Sequence, residues 1–197
     1  DTRFVVDRGG RDLTLEPTRY VRRLRFGDHA ILYYDTEDVK REISFSFLEA
    51  GLPKGEAIVY LVSEHRLDSE GQAIQRHGIS ADCFRTGAFT IMSADEWYLK
   101  KGKAQAKTII ANWLTLLKEK QKAGFTGLRA AGETEVFFDQ AKINELLIYE
   151  AALGRQLVFD VCGLCLYDTH RLEEEQIIRL KKCHGHEIFK DIALKTT

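Results

Sequence analysis

The sequence predicts an α/β fold built on a mainly parallel sheet with helices on both faces. Short apolar runs alternate about five times with long amphipathic stretches, the pattern of repeated strand–helix units. The runs are near-continuously apolar rather than alternating, as strands covered on both faces are. The chain has 197 residues, 44% of them hydrophobic and 30% charged, with only 2 prolines. A single domain of that size buries roughly 70% of its unfolded surface, and so few prolines leave little room for linkers.

Each element has a local cause. Ala30-Ile-Leu-Tyr-Tyr34 reads as the first strand. Thr36 can cap the helix after it, which carries Val39, Ile43, Phe47 and Leu48 at helical spacing and stops at Gly51 and Pro53. Ala57 to Val62 is the second strand, rich in branched residues. A helix over about Leu67 to His77 ends at Gly78, and Phe89 to Met92 is the third strand. A long helix is expected over Lys103 to Ala123, with Ile109, Trp113, Leu116 and Leu117 on one face and Gly124 after it. Thr126 to Ala131 reads as the fourth strand. Asp139 is expected to cap a helix carrying Ile143, Leu146, Leu147 and Glu150. Gln156 to Tyr167 reads as the fifth strand, Leu172 to Lys182 as a helix, and Glu187 to Leu194 as a final edge element.

Composition excludes several classes of function. The 29 basic and 30 acidic residues leave a net charge of −1, without blanket attraction for nucleic acid or an acidic membrane. No stretch approaches the roughly 20 apolar residues of a membrane span. Four scattered cysteines, Cys83, Cys162, Cys165 and Cys183, do not form a secreted disulfide framework, so a reducing cytoplasm is expected. The chain opens on Asp1-Thr2-Arg3, without a methionine or a signal-peptide pattern, and is expected to be a segment of a longer protein. Residues 1–27 carry Arg19, Arg22, Arg23 and Arg25 and are read as a basic connector arm. Residues 28–197 are read as one α/β domain.

A first strand running into a helix is where a phosphate-binding loop would carry G-x-x-x-x-G-K-[ST]. Here the segment is Tyr34-Asp-Thr-Glu-Asp-Val-Lys-Arg41. It has no glycine to wrap a phosphate, and Asp35, Glu37 and Asp38 repel one. Nucleotide hydrolysis is therefore not expected. Neither a G-x-S-x-G nor an H-E-x-x-H segment is present, and the reading is not an enzyme.

Four segments in order, Asp28 to Asp35, Phe47 to Tyr60, Gly127 to Glu133 and Leu164 to Asp168, resemble the methanogen/methylotroph sensory (MEDS) domain over about Gly27 to Phe189. The resemblance implies a three-layer, derived RecA-like domain that has lost the phosphate loop. It also implies an intracellular sensory module attached to a DNA-binding or histidine-kinase output domain. The ligand it implies is a simple hydrocarbon derivative, such as a methylated or halogenated one-carbon compound.

In open parallel sheets ligands sit beyond the carboxyl ends of the strands. The ligand is therefore expected at that upper edge, walled by Tyr34, Tyr167 and Cys165, with Arg129 and Glu133 orienting it and Glu64 close by. The alternatives are a structural ion pair for Arg129 and Glu133, core packing for the tyrosines and helix capping for Glu64. Glu150 is read as a paired structural carboxylate. Cys162 and Cys165, three apart in a strand, should point to opposite faces. No cofactor is expected. A metal or redox site is the competing reading for Cys183, His184 and His186, which the returning helix brings to the lower edge beside His29. The other alternative is a ligand-free interaction module, with a homodimer as its form.

Overall fold

The computed structural model describes residues 16–99, 102–191 and 193–195. The first fifteen residues of the expected connector arm lie outside them. From Glu16 onward the arm is ordered against the domain. Glu16 accepts hydrogen bonds from the backbone N–H groups of Thr18 and Arg19 and starts α1 (Pro17–Arg23), with Pro17 in its first turn. Val21 and Leu24 are buried, while Arg19, Arg22, Arg23 and Arg25 face outward.

The chain then alternates as expected. β1 (His29–Tyr34) leads into α2 (Glu37–Glu49), capped by the Thr36 hydroxyl, which accepts from the Val39 N–H. β2 (Ala57–Val62) leads through a 3-10 turn, Glu64–Arg66, into α3 (Leu67–His77), closed by Gly78 at φ 110°. A side chain is strained at that angle, which is why glycine serves there. After α4 (Ala81–Arg85) come β3 (Phe89–Ser93), α5 (Ala94–Tyr98), α6 (Ala106–Lys122), β4 (Leu128–Glu133), α7 (Glu135–Asp139) and α8 (Ile143–Leu153). The chain closes with β5 (Val161–Asp168), α9 (Glu174–Cys183), β6 (His186–Ile188) and β7 (Ala193–Lys195).

The strands lie in the order β3-β2-β4-β5-β1-β6-β7, all parallel except β7, which is antiparallel to β6. Helices α1–α4 bury their apolar sides on one face, here the first face, with Phe47, Ile58, Tyr60 and Leu166 in its core. Helices α5–α9 cover the second face, where Ile31, Leu61, Trp113 and Phe137 are buried. The result is a three-layer α/β sandwich. No helix among the described residues is long and apolar enough to cross a membrane.

Several elements differ from the sequence reading: α4, α5 and α7 are additional, β4 runs two residues further along the chain than Thr126–Ala131, and α6 starts at Ala106 rather than Lys103. Asp139 ends α7 and does not cap α8. Residues 156–160 are not strand. The Leu157 N–H donates to Gly27 O and Gln156 bridges Asp28, which turns this segment across the lower edge and leaves Val158 94% exposed. The final edge element is two short strands rather than one.

Candidate functional site

The upper edge of the first face holds a dense ion network where a phosphate loop would lie. Lys40, fully buried in the first turn of α2, bonds Glu133 at the end of β4 and reaches Glu37 Oε2 at 2.9 Å. Arg66 bonds Glu37, and lies 3.2 Å from Glu70 and 3.5 Å from Glu135. Arg41 donates to Glu70 at 2.7 and 3.1 Å. The Ser63 N–H donates to Glu133 at 2.9 Å, and the Tyr34 hydroxyl donates to Glu135 at 3.0 Å. Three cations thus face four carboxylates, and the network is neutralised from within. It offers no net positive field to a phosphate.

Burial works to raise the carboxyls of Glu70 and Glu37. The guanidinium of Arg41 outweighs it at Glu70, those of Arg66 and the ammonium of Lys40 outweigh it at Glu37, and both sit below the ordinary 4.5. A depressed carboxyl stabilises the fold above its ordinary value and loses that contribution as pH falls through its folded value. Thermal midpoints are therefore expected to fall as pH drops below about 4.5, with a shallower slope in Glu70→Gln. An unchanged slope in that variant would remove Glu70 from the account.

The expected upper-edge ligand site does not assemble. Arg129 and Glu133 share the first face, as the strand period requires, but four residues of strand at about 3.3 Å each put them roughly 13 Å apart. Glu133 belongs to the upper network. Arg129 lies at the lower end of β4, fully buried. It bonds Glu56 at 2.5 Å, donates to Leu24 O at 2.7 Å, and stacks 4.7 Å from the ring of Phe47. Tyr34 and Tyr167 do not wall one pocket either. Tyr167 is paired in register with Tyr33, so Tyr34 points to the opposite face. Glu64 stands exposed in the turn after β2, its N–H donating to Asp95 at 2.9 Å.

The second face carries a different constellation. Ala130 and Gly132 on β4 and Gly163 on β5 lie side by side, Ala130 in register with Gly163. These small residues leave a hollow under the rings of Tyr98, Trp113 and Tyr149, a cavity of about 40 Å³ with His29 and Cys165 at its polar end. Trp113 Nε1 donates to the Tyr149 hydroxyl at 2.9 Å, which fixes both rings. Gly132 has no substitute here: a Cβ on it would meet the Tyr98 hydroxyl.

Beside the cavity four side chains from four places in the chain converge. His29 starts β1, Cys165 lies within β5, Glu150 is on α8, and His184 follows α9. The His29 Nδ1 lies 2.7 Å from Gly154 O and 3.1 Å from Cys183 O, and the His184 Nδ1 lies 2.8 Å from Leu180 O. Carbonyls only accept, so both Nδ1 atoms carry hydrogen. Both Nε2 atoms lie 3.4 Å from Glu150 Oε2. Cys165 Sγ is 3.4 Å from His29 Nε2 and 3.8 Å from Glu150 Oε2. The Tyr167 hydroxyl donates to Glu150 Oε1 at 2.6 Å. Burial, reinforced by His29, pushes the His184 imidazole down to about 4.

Only half of the metal set read from the sequence takes part. His29 and His184 meet at the lower edge as the returning helix implies. Cys183 turns its thiol to Arg179 O, and His186 lies 2.7 Å from the Tyr20 hydroxyl and 3.2 Å from Asp28. The cause is local. Residues 183, 184 and 186 pass from a helix end into β6, and their side chains diverge. Glu150 and Cys165 take the two places instead, and Cys162 faces the opposite layer as expected.

No match was found among curated proteins. Among solved structures, the chain is similar to the flagellar accessory protein FlaH from Methanocaldococcus jannaschii. That similarity is at 9% identity and a TM-score of 0.41, over 84% of this chain and 72% of that one. The family model described as MEthanogen/methylotroph, DcmR Sensory domain matches residues 28–185. That match runs from the start of β1 to the turn before β6, taking in both helical layers and all four converging side chains, and the chain belongs to the MEDS family of sensory domains.

Proposed function

We propose that this domain is the non-catalytic, ligand-binding sensor of a cytoplasmic signal-transduction or transcription-regulatory protein. Its ligand is a small hydrocarbon derivative, such as a methylated or halogenated one-carbon compound. It binds in the second-face cavity and shifts a conformational equilibrium read by a DNA-binding or kinase output domain. The observation that carries this reading is the size and lining of the cavity. One water needs about 10–15 Å³ measured in this way, so 40 Å³ suits a ligand of two to four heavy atoms. Aromatic walls with one polar end are the usual composition of a small-molecule site. The internally neutralised upper edge speaks against nucleotide chemistry.

Ala130 offers the test, since its methyl group faces the cavity from a paired position on β4. Ala130→Leu fills the space. It is expected to weaken binding of the one-carbon panel by about tenfold or more in calorimetry, while circular dichroism stays that of the parent. Parental affinity in a folded Ala130→Leu protein would show that the ligand lies elsewhere.

A further inference from the structure

We propose that His29, Glu150, Cys165 and His184 form a closed site for a divalent transition-metal ion, zinc by its ligand chemistry. The four ligand atoms lie within 4.8 Å of one another. Ligands held about 2.0–2.3 Å from a zinc ion at tetrahedral angles stand about 3.3–3.6 Å apart. Four of the six separations are 3.4 Å for each histidine to Glu150, 3.4 Å for Cys165 to His29 and 3.8 Å for Cys165 to Glu150, and the other two are within 4.8 Å.

The surroundings match as well as the spacing. Each Nδ1 donates to a backbone carbonyl, which sets the tautomer that turns the Nε2 lone pair toward the centre. Tyr167 holds the outer carboxylate oxygen of Glu150, as outer partners of metal-binding carboxylates do. A cation at the centre would bond both Nε2 atoms, the Cys165 sulfur and the inner Glu150 oxygen at once. The charge also closes. The metal enters as a dication, the Cys165 thiol gives up its proton, and one thiolate and one carboxylate balance the ion while both histidines stay neutral.

Nitrogen, sulfur and oxygen donors in tetrahedral array favour zinc over calcium or magnesium. Four protein ligands leave no open position, so the ion ties α8 and the segment after α9 to β1 and β5 and does no chemistry. The site forms the polar wall of the cavity without depending on a ligand being there.

Elemental analysis of untagged protein is expected to find about one zinc per chain. Protein expressed in cobalt-supplemented medium should show thiolate-to-cobalt charge transfer, lost in Cys165→Ser and His184→Ala. The same absorption should persist in Cys183→Ser and His186→Ala, which separates this set from the neighbouring residues. Folded parent protein with neither zinc nor the cobalt absorption overturns the proposal, as does a Cys165→Ser variant that keeps the absorption in full. Failure of Ala130→Leu to affect ligand binding would leave the metal site standing, and loss of the metal site would leave the cavity reading standing.

Discussion

Arg129→Ala is expected to destabilise the domain by about 3–5 kcal/mol, read as a lower midpoint of chemical unfolding at an unchanged slope. Among the described residues, Arg129 is the largest of the fully buried side chains. It neutralises Glu56, which is itself 4% exposed, and it satisfies the carbonyl of Leu24 just beyond α1. Truncation leaves the Glu56 carboxylate without its cation and opens a void over Phe47. Removing Glu56 as well should be milder than the sum of the two single changes, because the second change takes away the stranded charge. Affinity for the small ligand should stay at the parental level in whatever fraction folds, since Arg129 points to the face opposite the cavity. Lost affinity with full stability would restore the ligand-orienting role read from the sequence.

The fate of Arg129 shows where sequence reading stops. Period and capping are local, so Thr36, Gly78 and the opposed faces of Cys162 and Cys165 were legible from a few neighbouring residues. The meeting of His29 with His184 was legible too, because a strand running up and a helix running back must return to one edge. Sharing a face does not bring Arg129 to Glu133, because four residues of strand separate them. Register was not available at all, and the pairing of Tyr33 with Tyr167 is what sends Tyr34 to the other layer. The place of Glu150 depends on how α8 packs across β5, which no spacing rule contains. The cavity has a signal in the sequence. Ala130, Gly132 and Gly163 are small residues in the fourth and fifth apolar runs, and where β4 and β5 pair such residues leave space.

Glu133→Leu is expected to cost about 3–5 kcal/mol, because it leaves a fully buried lysine without its buried partner. Lys40 would retain Glu37, whose side chain is 43% exposed and therefore a weaker counter-charge. The Ser63 N–H would also lose its acceptor, a buried loss of about 1–3 kcal/mol. Adding Lys40→Met removes the stranded ammonium and replaces it with an apolar chain of similar length. The double variant is therefore expected to be more stable than Glu133→Leu alone, by about 1–3 kcal/mol, and to fall short of the parent by the unsatisfied Ser63 N–H. Recovery of this sign distinguishes a charge pair from simple packing, in which the second truncation would add to the first. The pair sits where α2 begins and β4 ends, at the upper edge beyond the first strand–helix turn. Lys40 reaches into that edge, and Glu133, Glu37 and Arg66 complete a neutral set around it. Neither variant is expected to gain ATP affinity in calorimetry, since no glycine-rich backbone is present to wrap a phosphate even when Glu133 is gone.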